Sequence, residues 1–104
     1  MDITVEQLKA RLDAGEDVFL LDVREPHETL ICNLPNSTLI PMQELPHRLD
    51  ELDRGRDVVV YCRSGVRSRQ VVGYLRRLGY LRALNLRGGM LEWIDRIDPT
   101  QSKY

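Results

Sequence analysis

The run Cys62-Arg63-Ser64-Gly65-Val66-Arg67-Ser68 places one thiol, two hydroxyls, two guanidinium groups and a glycine in consecutive positions. Before it stand Val58-Val59-Val60-Tyr61, β-branched and aromatic residues that suit a strand buried on both faces. After it, Val71, Val72, Leu75 and Leu78 share one face of a helix expected from Arg69 to Leu78. The thiol therefore ends a strand and precedes a helix, across a tight loop. Loop N–H groups and the positive end of the helix can all point at its sulfur. Such surroundings lower a thiol's pKa and stabilise an anion attached to it. Cys62 is the expected reactive group, with residues 63–68 as its cradle.

The remaining elements have to hold that loop. Thr4 followed by Gln7 is a capping-box pattern, and Gly15 is a helix stop, so the first helix is expected over 5–14. Asp17 to Val23 is a largely apolar run bounded by acids, the pattern of an interior strand in a parallel sheet. It ends among polar residues, Asp22 to Glu28. Residues 29–38 read as irregular, with a turn at Pro35-Asn36-Ser37, and Leu39-Ile40-Pro41 as a short strand. Leu45, Leu49 and Leu52 share a helical face closed by Gly55. Gly79 stops the central helix, Ala83 to Leu86 is a last strand, Arg87-Gly88-Gly89 a tight turn, and 90–97 a final helix carrying Trp93. Strands alternating with helices predict an α/β fold, a central mostly parallel sheet with helices on both faces. Ligands of such sheets sit beyond the carboxyl ends of the strands. Three strand ends meet at that rim: Asp22-Val23-Arg24, residues 62–68 and Arg87-Gly88-Gly89.

Composition narrows the function classes. A chain of 104 residues, 42% hydrophobic and 30% charged, fits a single globular domain over 1–104 rather than a disordered segment. A net charge of -1 provides no field for nucleic acid or anionic membrane. Arg63, Arg67, Arg69, Arg76 and Arg77 nevertheless crowd the loop and central helix, which suits a small anion or an acidic partner surface. No apolar run approaches the roughly 20 residues of a membrane span, and no basic segment followed by an apolar core opens the chain. A cytoplasmic protein with reduced Cys32 and Cys62 is the expectation. His27 and His47 share no ligand spacing with the cysteines, so no structural zinc site is expected.

Leu20-Leu21-Asp22-Val23-Arg24-Glu25, Ile40-Pro41, Val58 through Ser68, and Asn85-Leu86-Arg87-Gly88-Gly89-Met90-Leu91-Glu92-Trp93, in this order, resemble a rhodanese domain. Residues 24–28, 31–33 and 93–99 are similar to the rhodanese domain that ends the adenylyltransferases of molybdopterin and thiamine biosynthesis. The sequence departs from the family where many members carry Gly-His-Ile and then Gly-Ala. Here Cys32-Asn33-Leu34 and Asn36-Ser37 stand there instead.

The resemblance implies a rhodanese-like fold and sulfur transfer through a Cys62 persulfide. Related phosphatases place one residue more between cysteine and arginine; the six-residue span Cys62 to Arg67 resembles the smaller loop of sulfurtransferases. The Cys62 thiolate attacks the outer sulfur of thiosulfate or a protein persulfide, and the terminal sulfur is then passed to cyanide, a thiol or a ubiquitin-like sulfur carrier protein. No metal or organic cofactor is implied. Backbone N–H groups of Arg63, Ser64, Gly65, Val66, Arg67 and Ser68 hold the persulfide, and Arg63 and Arg67 hold an anionic donor. Ser68 is expected to cap the central helix, and Gly65 to turn the loop. Asp22 and Arg24 flank the loop, Asp22 pairing an arginine there; the alternative for the two is a structural ion pair that holds the turn after the strand. The rival readings are a non-catalytic rhodanese-like interaction module and a small cysteine phosphatase or arsenate reductase. Cys32, His27, His47, Trp93 and Gly88-Gly89 are read as packing, surface or turn geometry.

Overall fold

A computed structural model describes residues 1–104. Its middle strand, β4 (Asp57–Tyr61), is flanked on both sides by parallel neighbours, which explains why Val58 to Tyr61 carry no polar face. With β1 (Asp2–Ile3), β2 (Val18–Asp22), β3 (Thr38–Leu39) and β5 (Ala83–Leu86) it forms a five-stranded parallel sheet in the order β1-β5-β4-β2-β3. Alternation along the strand divides the interior in two. Val58, Val60 and Cys62 join Leu21, Val23, Val71, Val72 and Leu75 in one core. Val59 and Tyr61 join Leu20, Leu86, Met90 and Trp93 in the other.

Helix α1 (Val5–Asp13) and helix α4 (Gly89–Arg96) cover the second core, and α3 (Val66–Arg77) covers the first. The α1 capping box forms as the sequence predicts: Gln7 N–H donates to Thr4 Oγ1 at 3.1 Å, and Thr4 N–H to Gln7 Oε1 at 2.9 Å. Gly15 follows with φ +73, the left-handed residue that ends the helix.

Four elements differ from expectation. Residues 45–52 form two 3₁₀ turns, Leu45–His47 and Leu49–Glu51, instead of one α-helix. Arg48 between them leaves the helical region, at φ −130 and ψ 22, while its side chain bonds Glu44 and Glu51. The three leucines still face the core, so apolar spacing alone could not separate the two geometries. A one-turn helix α2 (Pro26–Thr29) occupies part of the polar stretch after β2, begun by Pro26 and by Glu25 N–H donating to Glu28 Oε2 at 2.8 Å. Two-residue β1 is too short to leave a periodic signal. Finally, α3 begins at Val66, three residues earlier than expected. Its cap is Gly65 at φ +99, so Ser68 lies inside the first turn and does not cap the helix.

Candidate active site

The early start of α3 shapes the cysteine loop. With Gly65 in the left-handed region, the chain folds back so that Gly65 N–H points at Cys62 Sγ from 3.1 Å and Ser68 N–H from 3.4 Å. Ser68 Oγ lies 3.3 Å from the same sulfur, and the Ser64 amide also favours its anion. The sulfur is enclosed, the residue 1% exposed. Burial pushes the Cys62 thiol up, but the Ser68 hydroxyl and the Ser68, Gly65 and Ser64 amides outweigh it, leaving the pKa below the ordinary thiol value. The cradle therefore favours negative charge on sulfur without a cation bonded to it.

The outer side of the loop is held by α4. Met90 N–H donates to Cys62 O at 2.9 Å and Leu91 N–H to Arg63 O at 3.1 Å, so first-turn donors of α4 are satisfied by the cysteine loop. That junction leaves no room for a side chain: a Cβ on Gly89 would lie 2.5 Å from Cys62 O and 2.6 Å from Arg63 O. The Gly88-Gly89 turn is thus geometric, as its sequence suggests. Below the loop, Asn85 of β5 reaches Ser68 Oγ through Oδ1 at 2.5 Å. Sequence reasoning gave Asn85 no role, because an isolated asparagine in a strand carries no chemical signal by itself.

The two loop arginines are not free. Arg67 donates from both terminal nitrogens to the two oxygens of Glu28, each at 2.8 Å. Arg67 holds the buried Glu28 carboxyl down at about 2 against its burial, with help from Glu25 N–H and Tyr104 OH. Arg63 is exposed, donates to Tyr104 O at 2.5 Å and stacks over the Tyr104 ring. Glu28 and Tyr104 were not singled out from the sequence. A glutamate two residues after a proline was the available hint of a helix start, but its partner is 39 residues away.

Of the two readings of Asp22 and Arg24, the structure forms the ion pair and corrects the loop pairing. Asp22 does not pair with a loop arginine; it binds Arg24, through Nε at 3.0 Å and Nη2 at 2.8 Å, and also accepts from Arg24 N–H. Arg24 is completely buried and continues to Cys32 O at 2.8 Å and Tyr104 OH at 3.0 Å. Register sets Asp22 beside Tyr61, whose side chain enters the core opposite to that of Cys62. The pair therefore braces the rim from the far face, and reaches the cysteine loop through Tyr104, which contacts Arg63 directly and Arg67 by way of Glu28.

Cys32 and Cys62 are free thiols in different cores. His27 and His47 are exposed, and Trp93 is buried. A groove of about 220 Å³, lined by Met42, Leu45, Pro46, Gln70, Val71 and Tyr74, runs beside α3 on the Cys62 face. No helix is long and apolar enough to cross a membrane.

Comparison with known proteins agrees with this geometry. The family model described as Rhodanese-like domain matches residues 4–96. A sulfurtransferase of Allochromatium vinosum is 47% identical over 92 residues, which span 88% of this chain and 86% of that protein. The adenylyltransferase and sulfurtransferase uba4 of Ogataea parapolymorpha is 36% identical over 98% of this chain, but only 25% of that longer protein is matched. The crystal structure of a rhodanese-like domain protein from Staphylococcus aureus superposes with a TM-score of 0.86 at 35% identity, covering 100% and 99% of the two chains.

Proposed function

The chain belongs to the rhodanese-like domain family, and from that premise we propose a sulfurtransferase that carries sulfur as a persulfide on Cys62. Relatives named as sulfurtransferases support the general activity. The observation that carries the finer reading is the group of N–H donors closing on Sγ at 3.1 and 3.4 Å. In the first step the Cys62 thiolate forms an S–S bond to the outer sulfur of thiosulfate, and sulfite leaves with the electron pair of the broken bond. A protein persulfide would serve the same way, releasing a thiolate. In the second step a nucleophile bonds that terminal sulfur and the Cys62 thiolate is restored. The N–H groups facing Sγ favour an anion in the loop, which suits both the thiolate and a persulfide whose terminal sulfur lies one S–S bond beyond it. No metal or organic cofactor is required for these bond changes.

Arg67 is engaged by Glu28 and Arg63 by Tyr104, so an anionic donor must share or displace those contacts. Arg63, the exposed one, is the first cation an approaching donor meets. The acceptor class includes a sulfur carrier protein, a reading supported by the relative that joins adenylyltransferase and sulfurtransferase in one chain. Intact mass after incubation with thiosulfate, and separately with a polysulfide, tests the assignment. The parent and Cys32→Ala should gain one sulfur atom from at least one donor, whereas Cys62→Ala should gain none. A Cys62→Ala protein that still acquires the sulfur sinks the proposal. Turnover of an aryl phosphate by the parent, lost in Cys62→Ala, would instead favour the phosphatase reading.

A further inference from the structure

Ser68, Asn85 and Cys62 form a buried chain of polar atoms whose hydrogens can be counted. All three residues are nearly closed to solvent, at 0%, 2% and 1% exposure. Ser68 Oγ lies 2.5 Å from Asn85 Oδ1 and 3.3 Å from Cys62 Sγ, yet a hydroxyl owns one hydrogen. If that hydrogen goes to Asn85 Oδ1, the oxygen can only accept from Cys62, which suits a thiol and not a thiolate. In the same arrangement Asn85 Nδ2 is buried without any partner, which leaves its desolvation uncompensated. Turning the amide about its last side-chain bond gives Nδ2 an acceptor and frees the hydroxyl hydrogen, while Oδ1 moves to the place where Nδ2 had no partner. Nδ2 then donates to Ser68 Oγ, and the Ser68 hydrogen is released to point at sulfur. The two orientations occupy the same space, so the turn needs no repacking.

We propose that Asn85 is a positioning residue whose amide orientation sets the direction of the Ser68 hydroxyl, matching it to thiol in one state and to thiolate or persulfide in the other. In the thiol state the S–H donates to Ser68 Oγ and the Ser68 O–H donates to Asn85 Oδ1. On ionisation the sulfur proton leaves to water or a buffer base. The amide turns, Asn85 Nδ2–H donates to Oγ, and Ser68 O–H donates to the sulfur anion. Register explains why asparagine stands in an otherwise apolar strand: Asn85 pairs with Val60, whose side chain enters the core that holds Cys62. Its backbone is tied separately, Asn85 N–H donating to Met1 O at 2.9 Å, which leaves the amide head for the hydroxyl.

The proposal rests on Cys62 as the ionising nucleophile, and its test reads ionisation directly rather than sulfur transfer, so the two can fail independently. In a Cys32→Ala background, the pH dependence of Cys62 alkylation by iodoacetamide is compared for the parent, Asn85→Asp, Ser68→Ala and the double variant. An aspartate at this position can only accept from Ser68, so it should hold the hydroxyl away from sulfur. The alkylation midpoint should rise by about one pH unit, making the reaction about tenfold slower at neutral pH. Most of that shift should vanish when Ser68 is alanine. An equal shift with and without the Ser68 hydroxyl would mean that the added charge acts through space, and overturns the proposal, as does no shift at all. If Asn85→Asp does not fold, the parent provides the answer by heteronuclear NMR: the Asn85 side-chain amide resonances should move with the Cys62 midpoint, and resonances that stay fixed through it would reject the relay.

Discussion

Two polar clusters share the carboxyl rim of one sheet and handle charge in opposite ways. Around Cys62, on one face, charge is met by main-chain N–H groups and a hydroxyl, with no side-chain cation bonded to the sulfur. Around Arg24, on the other face, Asp22, Glu28, Arg67 and Tyr104 make a connected lattice of full charges and a phenol. A reacting sulfur changes its charge and its bonds during a cycle. Neutral donors lower the thiol's pKa as well, but a full cation bonded to the thiolate would lower its basicity, and with it its nucleophilicity, further. A permanent charge, by contrast, is a good fastener when every bond is satisfied. Under the proposed function the first cluster is the one that reacts, and the second holds it in place.

Substitutions should separate these roles. Replacing Cys62 with alanine should abolish sulfur transfer completely while leaving the unfolding midpoint close to that of the parent. Arg24→Met should do the reverse. It leaves the Asp22 carboxylate buried without its partner, a change worth about 3–5 kcal/mol in comparable buried pairs. The Cys62 alkylation rate of the folded fraction should stay within a few-fold of the parent. Equilibrium denaturation and alkylation kinetics on the same samples check both. Should Arg24→Met remain as stable as the parent but lose thiol reactivity, the division between the two clusters fails.

Gly89→Ala probes the seam between the loop and α4. A Cβ 2.5 Å from Cys62 O must displace backbone on both sides, and Gly89 also sits at φ +57. A shift of the order of one ångström at the sulfur should cost about a hundredfold in sulfur transfer. A steady-state rate with a saturating donor gives the answer. A Gly89→Ala enzyme as active as the parent would mean the amide ring tolerates slack, contrary to the tight closure described above.

The two clusters were not equally legible in the amino-acid sequence. The cradle lies within seven consecutive residues, and strand, thiol, glycine and helix each leave a local signal there. Even so, Gly65 rather than Ser68 caps α3, because a left-handed glycine before the helix can do the turning that a capping hydroxyl would otherwise accompany. The lattice joins residues up to 80 positions apart, as Arg24 and Tyr104 are, and such pairs follow from the fold rather than from spacing. Asp22 and Arg24 looked like part of the loop's surroundings because both end a neighbouring strand. Only the alternation of side chains across the sheet assigns them to the other face. Likewise the leucines at 45, 49 and 52 reported burial correctly and helix type incorrectly, since both 3₁₀ and α geometry satisfy that burial.

The smallest expected effect sharpens the comparison by pH. Glu28, joining the lattice to the loop, has its carboxyl held at about 2, against an ordinary value of 4.5, chiefly by the Arg67 fork. Its side chain is 8% exposed and that of Arg67 34%, so after allowing for screening the pair contributes on the order of 2 kcal/mol at neutral pH. Because the folded value is depressed, that contribution is fully present above the unfolded value and disappears as pH falls from 4.5 to about 2. The cradle has the same sign in a different window: Cys62 is also depressed, so its contribution grows only as pH rises past its folded value. Glu28→Gln should therefore be less stable than the parent at neutral pH, and the gap should close through the acid window while the alkaline limb is unaltered. Denaturant midpoints of both proteins across the full range measure this. A gap that stays constant down to the acid limit would show that the Glu28 charge is not what Arg67 holds.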